Sequence, residues 1–316
     1  MQIHQGLSQF SRLSQAIVTS GTFDGVHIGH QKIFRRLLEL KQAQPKAETV
    51  VITFWPHPRL VVGHASGETL QLLSTIEEKA QGLEALGLDH LVIIPFTPEF
   101  SQLSPEEYVQ KVYVDGIGTS HIVIGYDHRF GQKRAGDIHF LQQNAQRFGF
   151  EVEEIPRQDI DHIGVSSTKI RQALQAGDVR TAAEYLGAPY TLQGTIVHGD
   201  KIGRTIGFPT ANIQPQAAYK IVPQTGIYAV YVAIEGQLHQ AMLYIGKRPT
   251  VDGTATKIEA HLFDFEQDVY GKSARIWFIE KIREDKKFDG LEAMQTALAQ
   301  DQIDTQRILK HTQPPI

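Results

Sequence analysis

Apolar residues along the first half of the chain fall in short unbroken runs separated by stretches with helical spacing. "AIVTSGTF" leads into "HQKIFRRLLELKQ", "ETVVITFWPHP" into "TIEEKAQGLEALG", and "HLVIIPF" into "SPEEYVQKVYVD". Runs such as "TVVITF" and "LVIIPF" are rich in β-branched residues and lack polar alternation, which marks strands buried on both faces. A strand "SHIVIG", a helix after Gly136 and a strand "FEVEEIP" continue the rhythm. Strands alternating with helices predict a parallel sheet covered by helices.

Between Ile163 and Gly187 the pattern is helical: Ser167 or Thr168 can cap a helix, Gly177-Asp178 breaks it, and a second short helix follows. After Pro189 the period changes. "YTLQGTIVHG", "TGIYAVYVAIEGQLHQAMLYIG", "TKIEAHLFDF" and "SARIWFIEKI" are strand-like with no helical stretch between them, and Glu235-Gly236 suits a hairpin turn. "LEAMQTALAQDQIDTQRIL" supplies a closing helix. The expected fold class is therefore α/β, with a Rossmann-like parallel-sheet domain over residues 1–186. A small antiparallel β-barrel with a C-terminal helix is expected over residues 187–316.

A length of 316 residues accommodates two such domains. With 41% hydrophobic and 21% charged residues, the composition is that of a soluble globular protein rather than a disordered or fibrous one. Cysteine is absent, which excludes disulfides, thiolate nucleophiles and cysteine-held metal clusters. The start "MQIHQGLSQFSRLS" has no signal-like pattern and no long apolar span follows, so a cytoplasmic protein without a membrane partner is expected. A net charge of −4 offers long polyanions no general attraction, which argues against nucleic acid and requires any phosphate recognition to be local. Small molecules are the expected partners, and a weak homo-oligomer is compatible with the sequence.

Local phosphate chemistry is present in "GTFDGVHIGH", Gly21 to His30. Gly21, Gly25 and Gly29 surround the passage from the first strand to the first helix, where glycine lets a phosphate approach and the free helix-start amides point at it. His27 and His30 can offer imidazole donors to phosphoryl oxygens, and Asp24 can orient one of them or meet a magnesium ion. A His-x-x-His pair can also bind a transition metal or simply pack. In "FWPHP", His57 stands between prolines that restrict the backbone, a rigid turn or a ligand contact. Asp127 in "GYDHRFG" follows a strand where parallel sheets meet ligands. In "SSTKIR" the hydroxyls of Ser167 and Thr168 and the Arg171 guanidinium can grip neighbouring phosphates.

The second half carries "GRTIGFPTAN". Gly203 and Gly207 permit close approach of a nucleotide, and beyond Pro209 an extended backbone places Thr210 and Asn212 on one face, where their oxygens can coordinate one hard cation. A glycine-punctuated hairpin is the plainer alternative. In "KIEAHLFDF", Glu259 and His261 share a strand face, and Glu259 can accept a proton from a substrate alcohol. A charged residue on the wet face of a sheet would look the same.

Taken in order, "GTFDGVHIGH" with Phe23 in its middle, "PHP", "GYDHRFG" and "VSSTKIR" resemble the nucleotidyltransferase half of the prokaryotic bifunctional riboflavin kinase/FAD synthetase family. "GFPTAN", "IGKRPT", "IEAHLFDF" and "DVYG" resemble its riboflavin kinase half, and coverage runs from about Ile17 to Asp301. The resemblance implies phosphorylation of riboflavin by ATP to FMN, then adenylylation of FMN by a second ATP to FAD and pyrophosphate. It implies Mg²⁺ held by Thr210 and Asn212, Glu259 as base, and Arg283 and Phe288 on the ligand side. It also implies catalytic roles for His27, His30 and Arg171, with Phe23, Asp24, His57 and Asp127 in nucleotide or flavin support. Two departures stand out: Tyr244-Ile245-Gly246 where the family usually reads Asn-Ile-Gly, and Trp55-Pro56 where it usually reads Glu-Pro. Tyr244 keeps open an adenylyltransferase whose barrel only binds flavin, and a noncatalytic flavin-binding protein is a further alternative.

Overall fold

The computed structural model describes residues 1–62, 70–156, 164–199, 203, 207–250 and 253–315 and groups the chain into two compact units, Met1–Ser166 and Ser167–Ile316. Arg204, Thr205 and Ile206 of the glycine-punctuated segment, Ile163, and the side chains of Arg248, Pro249 and Thr250 lie outside the described residues.

In the first unit the strands are β1 (Gln2–Gln5), β2 (Ala16–Ser20), β3 (Glu48–Trp55), β4 (His90–Pro95), β5 (Thr119–Gly125) and β6 (Glu151–Ile155). They form one parallel sheet in the order β1-β4-β3-β2-β5-β6. The helices are α1 (Ile28–Ala43), α2 (Pro58–Val61), α3 (Ile76–Ala85), α4 (Pro105–Tyr108) and α5 (Ile138–Phe148). Alternate residues of one strand enter opposite cores: Val18 and Ile52 pack with Tyr113 and Leu141, whereas Ile17 and Val51 pack with Phe34 and Leu83. Each such side chain contributes about 1.5–3 kcal/mol by leaving water, and burial on both faces explains why the strands read as continuous apolar runs. Strand β1 was not expected; it is a short edge strand of mostly polar residues, whose pattern carries no apolar signal.

The connections run outward from β2 in both directions, so the order reverses between β2 and β5. Their carboxyl ends, Ser20 and Gly125, therefore flank a topological switch point, where open α/β sheets leave a crevice for ligands. The segment after α4 continues as a π-helix, Val109–Ile117, and ends at left-handed Gly118. A Cβ at Gly118 would overlap the Leu13 carbonyl oxygen, so only glycine fits.

The second unit opens with α6 (Ser167–Gln175) and α7 (Val179–Leu186), followed by β7 (Tyr190–Val197), β8 (Ala211–Pro215), β9 (Gly226–Ile234), β10 (Gln237–Thr250), β11 (Gly253–Leu262), β12 (Ser273–Arg283) and α8 (Leu291–Lys310). The strands close into an antiparallel barrel in the order β10-β11-β8-β7-β12-β9, as expected from the change of period. Glu235 and Gly236 have φ of 50° and 82°, the left-handed pair of a tight hairpin turn between β9 and β10. Strand β9 is buried on both sides because α8 covers its outer face: Leu309 packs with Ala229 and Tyr231, and the Tyr231 hydroxyl donates to the Leu309 carbonyl at 3.1 Å. Among the described residues no helix is long and apolar enough to cross a membrane.

Candidate functional site

The first site grows from the end of β2. Between Ser20 and α1 the chain passes through Phe23, Gly25 and Val26 with φ of 43°, 88° and 47°. For a phenylalanine and a β-branched valine such backbone costs on the order of 1–3 kcal/mol each, so surrounding contacts must impose it. Asp24 does so. Its buried carboxylate accepts the Leu73 amide at 2.9 Å and the Ser74 amide at 3.2 Å, while the Gly25 amide donates to the Ser74 hydroxyl at 3.1 Å. A Cβ on Gly21 would lie 2.9 Å from the folded-back ring of Phe23.

This loop delivers the chain to the start of α1 with His27 as its cap. The His27 Nδ1 accepts the His30 amide at 3.4 Å, and the two imidazoles stack with centroids 3.6 Å apart. Phe23 meets His30 edge-on at 5.2 Å. The His30 Nδ1 is buried without a hydrogen-bond partner. Burial first, then the nearby His27 and Lys79, holds the His30 pKa well below its ordinary value, which keeps the ring neutral near pH 7. Gly29 is buried in the first turn of α1. A neutral His30 imidazole at a helix start can offer an N–H hydrogen bond to an anion without a counter-charge of its own.

Lys79 of α3 was not anticipated. It is buried, donates to the Thr22 carbonyl at 2.6 Å and the Thr53 hydroxyl at 3.0 Å, and burial lowers its pKa to about 8 against the opposing pull of Asp24. The available signal was a lysine on the same helical stripe as Ile76, Ala80 and Leu83. At the switch point, Ser20 Oγ lies 2.7 Å from the Tyr113 hydroxyl and 3.4 Å from His128 Nε2. Burial, then Arg134 and Arg129, lowers the His128 pKa to about 4.

His57 is buried and caps α2, its Nδ1 accepting the Arg59 amide at 3.2 Å. Asp127 is exposed after β5. Ser167 and Thr168 stand within the first turn of α6, one step inside the expected cap position, and Arg171 follows a turn later. That helix belongs to the second compact unit.

The second site is a cavity of about 290 Å³ in the barrel unit, and its lining includes Gly203, Thr210, Tyr244, Glu259, Arg283 and Phe288. The structure thus brings together residues drawn from widely separated stretches of sequence. Glu259 accepts the Thr210 hydroxyl at 3.4 Å and pairs with Lys257 at 3.1 Å. Asn212 stands opposite Glu259 in the β8–β11 register, with its amide against Gly199, where a Cβ would overlap it. His261 on the Glu259 face also lines the cavity and bonds the Pro209 carbonyl at 2.7 Å. Gly207 is exposed with a φ of 85°. Register shifts late in β12 precede Arg283, whose guanidinium holds Asp301 of α8 through two bonds of 2.8 and 2.7 Å and lies 5.6 Å from the Phe288 ring. Among the described residues no cluster of histidine and carboxylate groups could hold a metal, and the His27/His30 pair gathers no such ligands.

Imidazoles at a helix start near a sheet switch point in one unit, and a carboxylate beside a hydroxyl in a barrel cavity in the other, are arrangements that suit a transferase acting on phosphate-bearing substrates. Family models match both halves: FAD synthetase over residues 9–169 and riboflavin kinase over residues 186–309. Relatives named bifunctional riboflavin kinase/FMN adenylyltransferase include those of Listeria monocytogenes, 37% identical across 92% of this chain and 91% of the relative, and Pseudomonas fluorescens, 37% identical across 95% and 96%. The Escherichia coli relative of the same name is 31% identical across 99% of this chain and all of its own length. A solved structure described as a macrolide-efflux protein from Streptococcus pneumoniae is 30% identical, with a TM-score of 0.86 over 96% of this chain and 98% of that one. Its description names a different activity from the family models, and its contribution is the likeness of fold. The chain belongs to the bifunctional riboflavin kinase/FMN adenylyltransferase family, and it is an enzyme with kinase and adenylyltransferase activities.

Proposed function

We propose that the barrel transfers the γ-phosphoryl group of ATP to the ribityl 5′-hydroxyl of riboflavin, giving FMN and ADP, and that the first domain joins FMN to the adenylyl group of a second ATP. The second reaction releases pyrophosphate and leaves FAD. The functional division falls at about Leu186, and a cytoplasmic location fits a chain without cysteine.

In the barrel, Glu259 accepts the proton that the flavin alcohol loses as its oxygen attacks the γ-phosphorus. The alcohol is a poor nucleophile at pH 7, so a carboxylate within reach of it is the chemical requirement. The Thr210 hydroxyl beside Glu259, with Asn212 at the opposite strand position, would offer an oxygen set that suits a hard divalent cation. Mg²⁺ held there would supply charge neutralisation at the ATP phosphates. Arg283 and Phe288 support the flavin side of the same cavity.

In the first domain the nucleophile is the terminal phosphate of FMN, already anionic near neutral pH, so stabilising developing charge matters more than removing a proton. His27, His30 and the helix-start amides donate to the phosphates of ATP, with Gly21, Gly25 and Gly29 allowing the approach. Ser167, Thr168 and Arg171 contribute to adenylyl transfer, as the resemblance of "SSTKIR" implies. Asp24 acts by holding the loop, and His57 and Asp127 support nucleotide or flavin. The observation that carries the reading is the coexistence of the His27–His30 stack at a helix start and Glu259 beside Thr210 in the barrel cavity. Tyr244 lines that cavity together with Glu259 and Thr210, which remain hydrogen-bonded to each other, and this supports the kinase reading despite the departure from the family pattern.

A product time course with riboflavin, ATP and Mg²⁺, resolving FMN from FAD, tests the reading. FMN is expected first and FAD second, and supplied FMN is expected to yield FAD alone. FAD from supplied FMN with no product from riboflavin would leave only the adenylyltransferase.

A further inference from the structure

Tyr244 departs from the family pattern and has no part in the chemistry above, yet it occupies a defined place in the barrel. In the β10–β11 register it stands directly opposite Glu259, and both line the cavity. Its ring lies over Gly246 on the same strand face: a Cβ there would overlap the phenol, so glycine at 246 permits this placement. From there the hydroxyl donates to the Asp285 carboxylate at 3.1 Å.

Asp285 belongs to the segment 284–290 between β12 and α8, which brings Lys286 and Phe288 to the cavity. At its start the segment is fixed by the Arg283–Asp301 pair. Glu284 also pairs with Lys281 of β12 at 2.6 Å, the Arg283 guanidinium lies 5.6 Å from the Phe288 ring, and Lys286 lies 5.2 Å from that ring, so these contacts run to β12 or within the segment. The Tyr244–Asp285 bond is thus a tie between this segment and the strand facing the proposed base. An asparagine at 244 lacks the reach of a phenol and would leave Asp285 to water.

We propose that Tyr244 and Asp285 form a clasp that holds segment 284–290 in place and thereby positions Phe288 against the ring system of a bound flavin. The inference rests on the reading of the barrel as a riboflavin kinase. Tyr244 is a positioning residue: it acts through Asp285 and Phe288 on flavin binding, and the transfer step itself does not depend on it. The clasp sits at the solvent edge of the cavity, with Tyr244 half-buried and Asp285 exposed, so its effect is modest.

The test compares the full chain with Y244F, D285N and the double variant, measuring FMN plus FAD formed from riboflavin and ATP-Mg²⁺. Y244F keeps the ring over Gly246 and removes only the hydroxyl. Each single variant is expected to raise KM for riboflavin about three- to tenfold with kcat changed less than about twofold, and the double variant to be no worse than either. Conversion of supplied FMN to FAD is expected to stay unchanged. Unaltered KM in Y244F, or additive effects in the double variant, would overturn the clasp. Quenching of riboflavin fluorescence by the same proteins gives Kd without turnover. A chain that binds riboflavin but forms no FMN would overturn the kinase reading, while the Kd series would still decide the clasp.

Discussion

The two candidate sites are built from opposite kinds of groups. In the first unit the groups proposed to meet the phosphates are helix-start amides and the His27 and His30 imidazoles, held by a loop with left-handed backbone at Phe23 and Val26. The barrel cavity instead gathers a carboxylate proposed as the base for an alcohol, a hydroxyl and cationic side chains, carried on hydrogen-bonded strands and the segment that follows them. The difference follows from the nucleophiles. An FMN phosphate arrives charged and needs donors, whereas a riboflavin alcohol arrives neutral and needs a base. On the proposed reading, one site depends on backbone placement and the other on the charge of particular side chains.

The sharpest break between them is expected from Glu259→Gln, which keeps shape and removes the base. FMN formation should fall by about 10²- to 10⁴-fold while supplied FMN is still converted to FAD. His30→Ala should do the reverse, lowering FAD formation by about 10²- to 10³-fold with riboflavin phosphorylation intact. Both are read from product time courses on protein whose fold is verified by circular dichroism.

Lys79 extends the contrast to stability. Its folded pKa of about 8 lies below the ordinary lysine value of 10.5, so the unfolded chain binds more protons between those values. Stability of the first unit should therefore rise with pH from about 8 to 10.5, by about 3 kcal/mol in total, and be flat from this source below pH 8. Lys79→Met should remove that rise, as denaturant titrations at several pH values would reveal. The smallest effect is expected from Ser20→Ala, which takes one bond from the buried Tyr113 hydroxyl and should cost about 1 kcal/mol by the same titrations.

Much of this architecture was legible in the sequence. Strands β2 to β6, the hairpin at Glu235-Gly236, the closing helix and the barrel all follow from hydrophobic period and turn chemistry. Gly203, Thr210, Glu259, Arg283 and Phe288 of the barrel cavity were legible because their motifs are local strings, whereas Lys257, Asp285 and Lys286, which also line it, carried no such signal. What stayed hidden was the product of distance. Ser20, Tyr113 and His128 meet only because the sheet order reverses between β2 and β5, and the π-helical turns that carry Tyr113 have no distinctive composition. Lys79 looked like an ordinary helical lysine until the sheet placed Thr22 and Thr53 around it. Asp24 read as a candidate at the ligand, and the structure shows its carboxylate holding the loop through Leu73 and Ser74.

Separate stations joined by free FMN can be tested by mixing the two inactive halves. Glu259→Gln and His30→Ala proteins, each alone with riboflavin, ATP and Mg²⁺, should form little or no FAD, whereas an equal mixture should form FAD after a lag as FMN accumulates and crosses from one protein to the other. A mixture that makes no FAD, while Glu259→Gln still converts supplied FMN, would contradict two independent sites linked by a released intermediate.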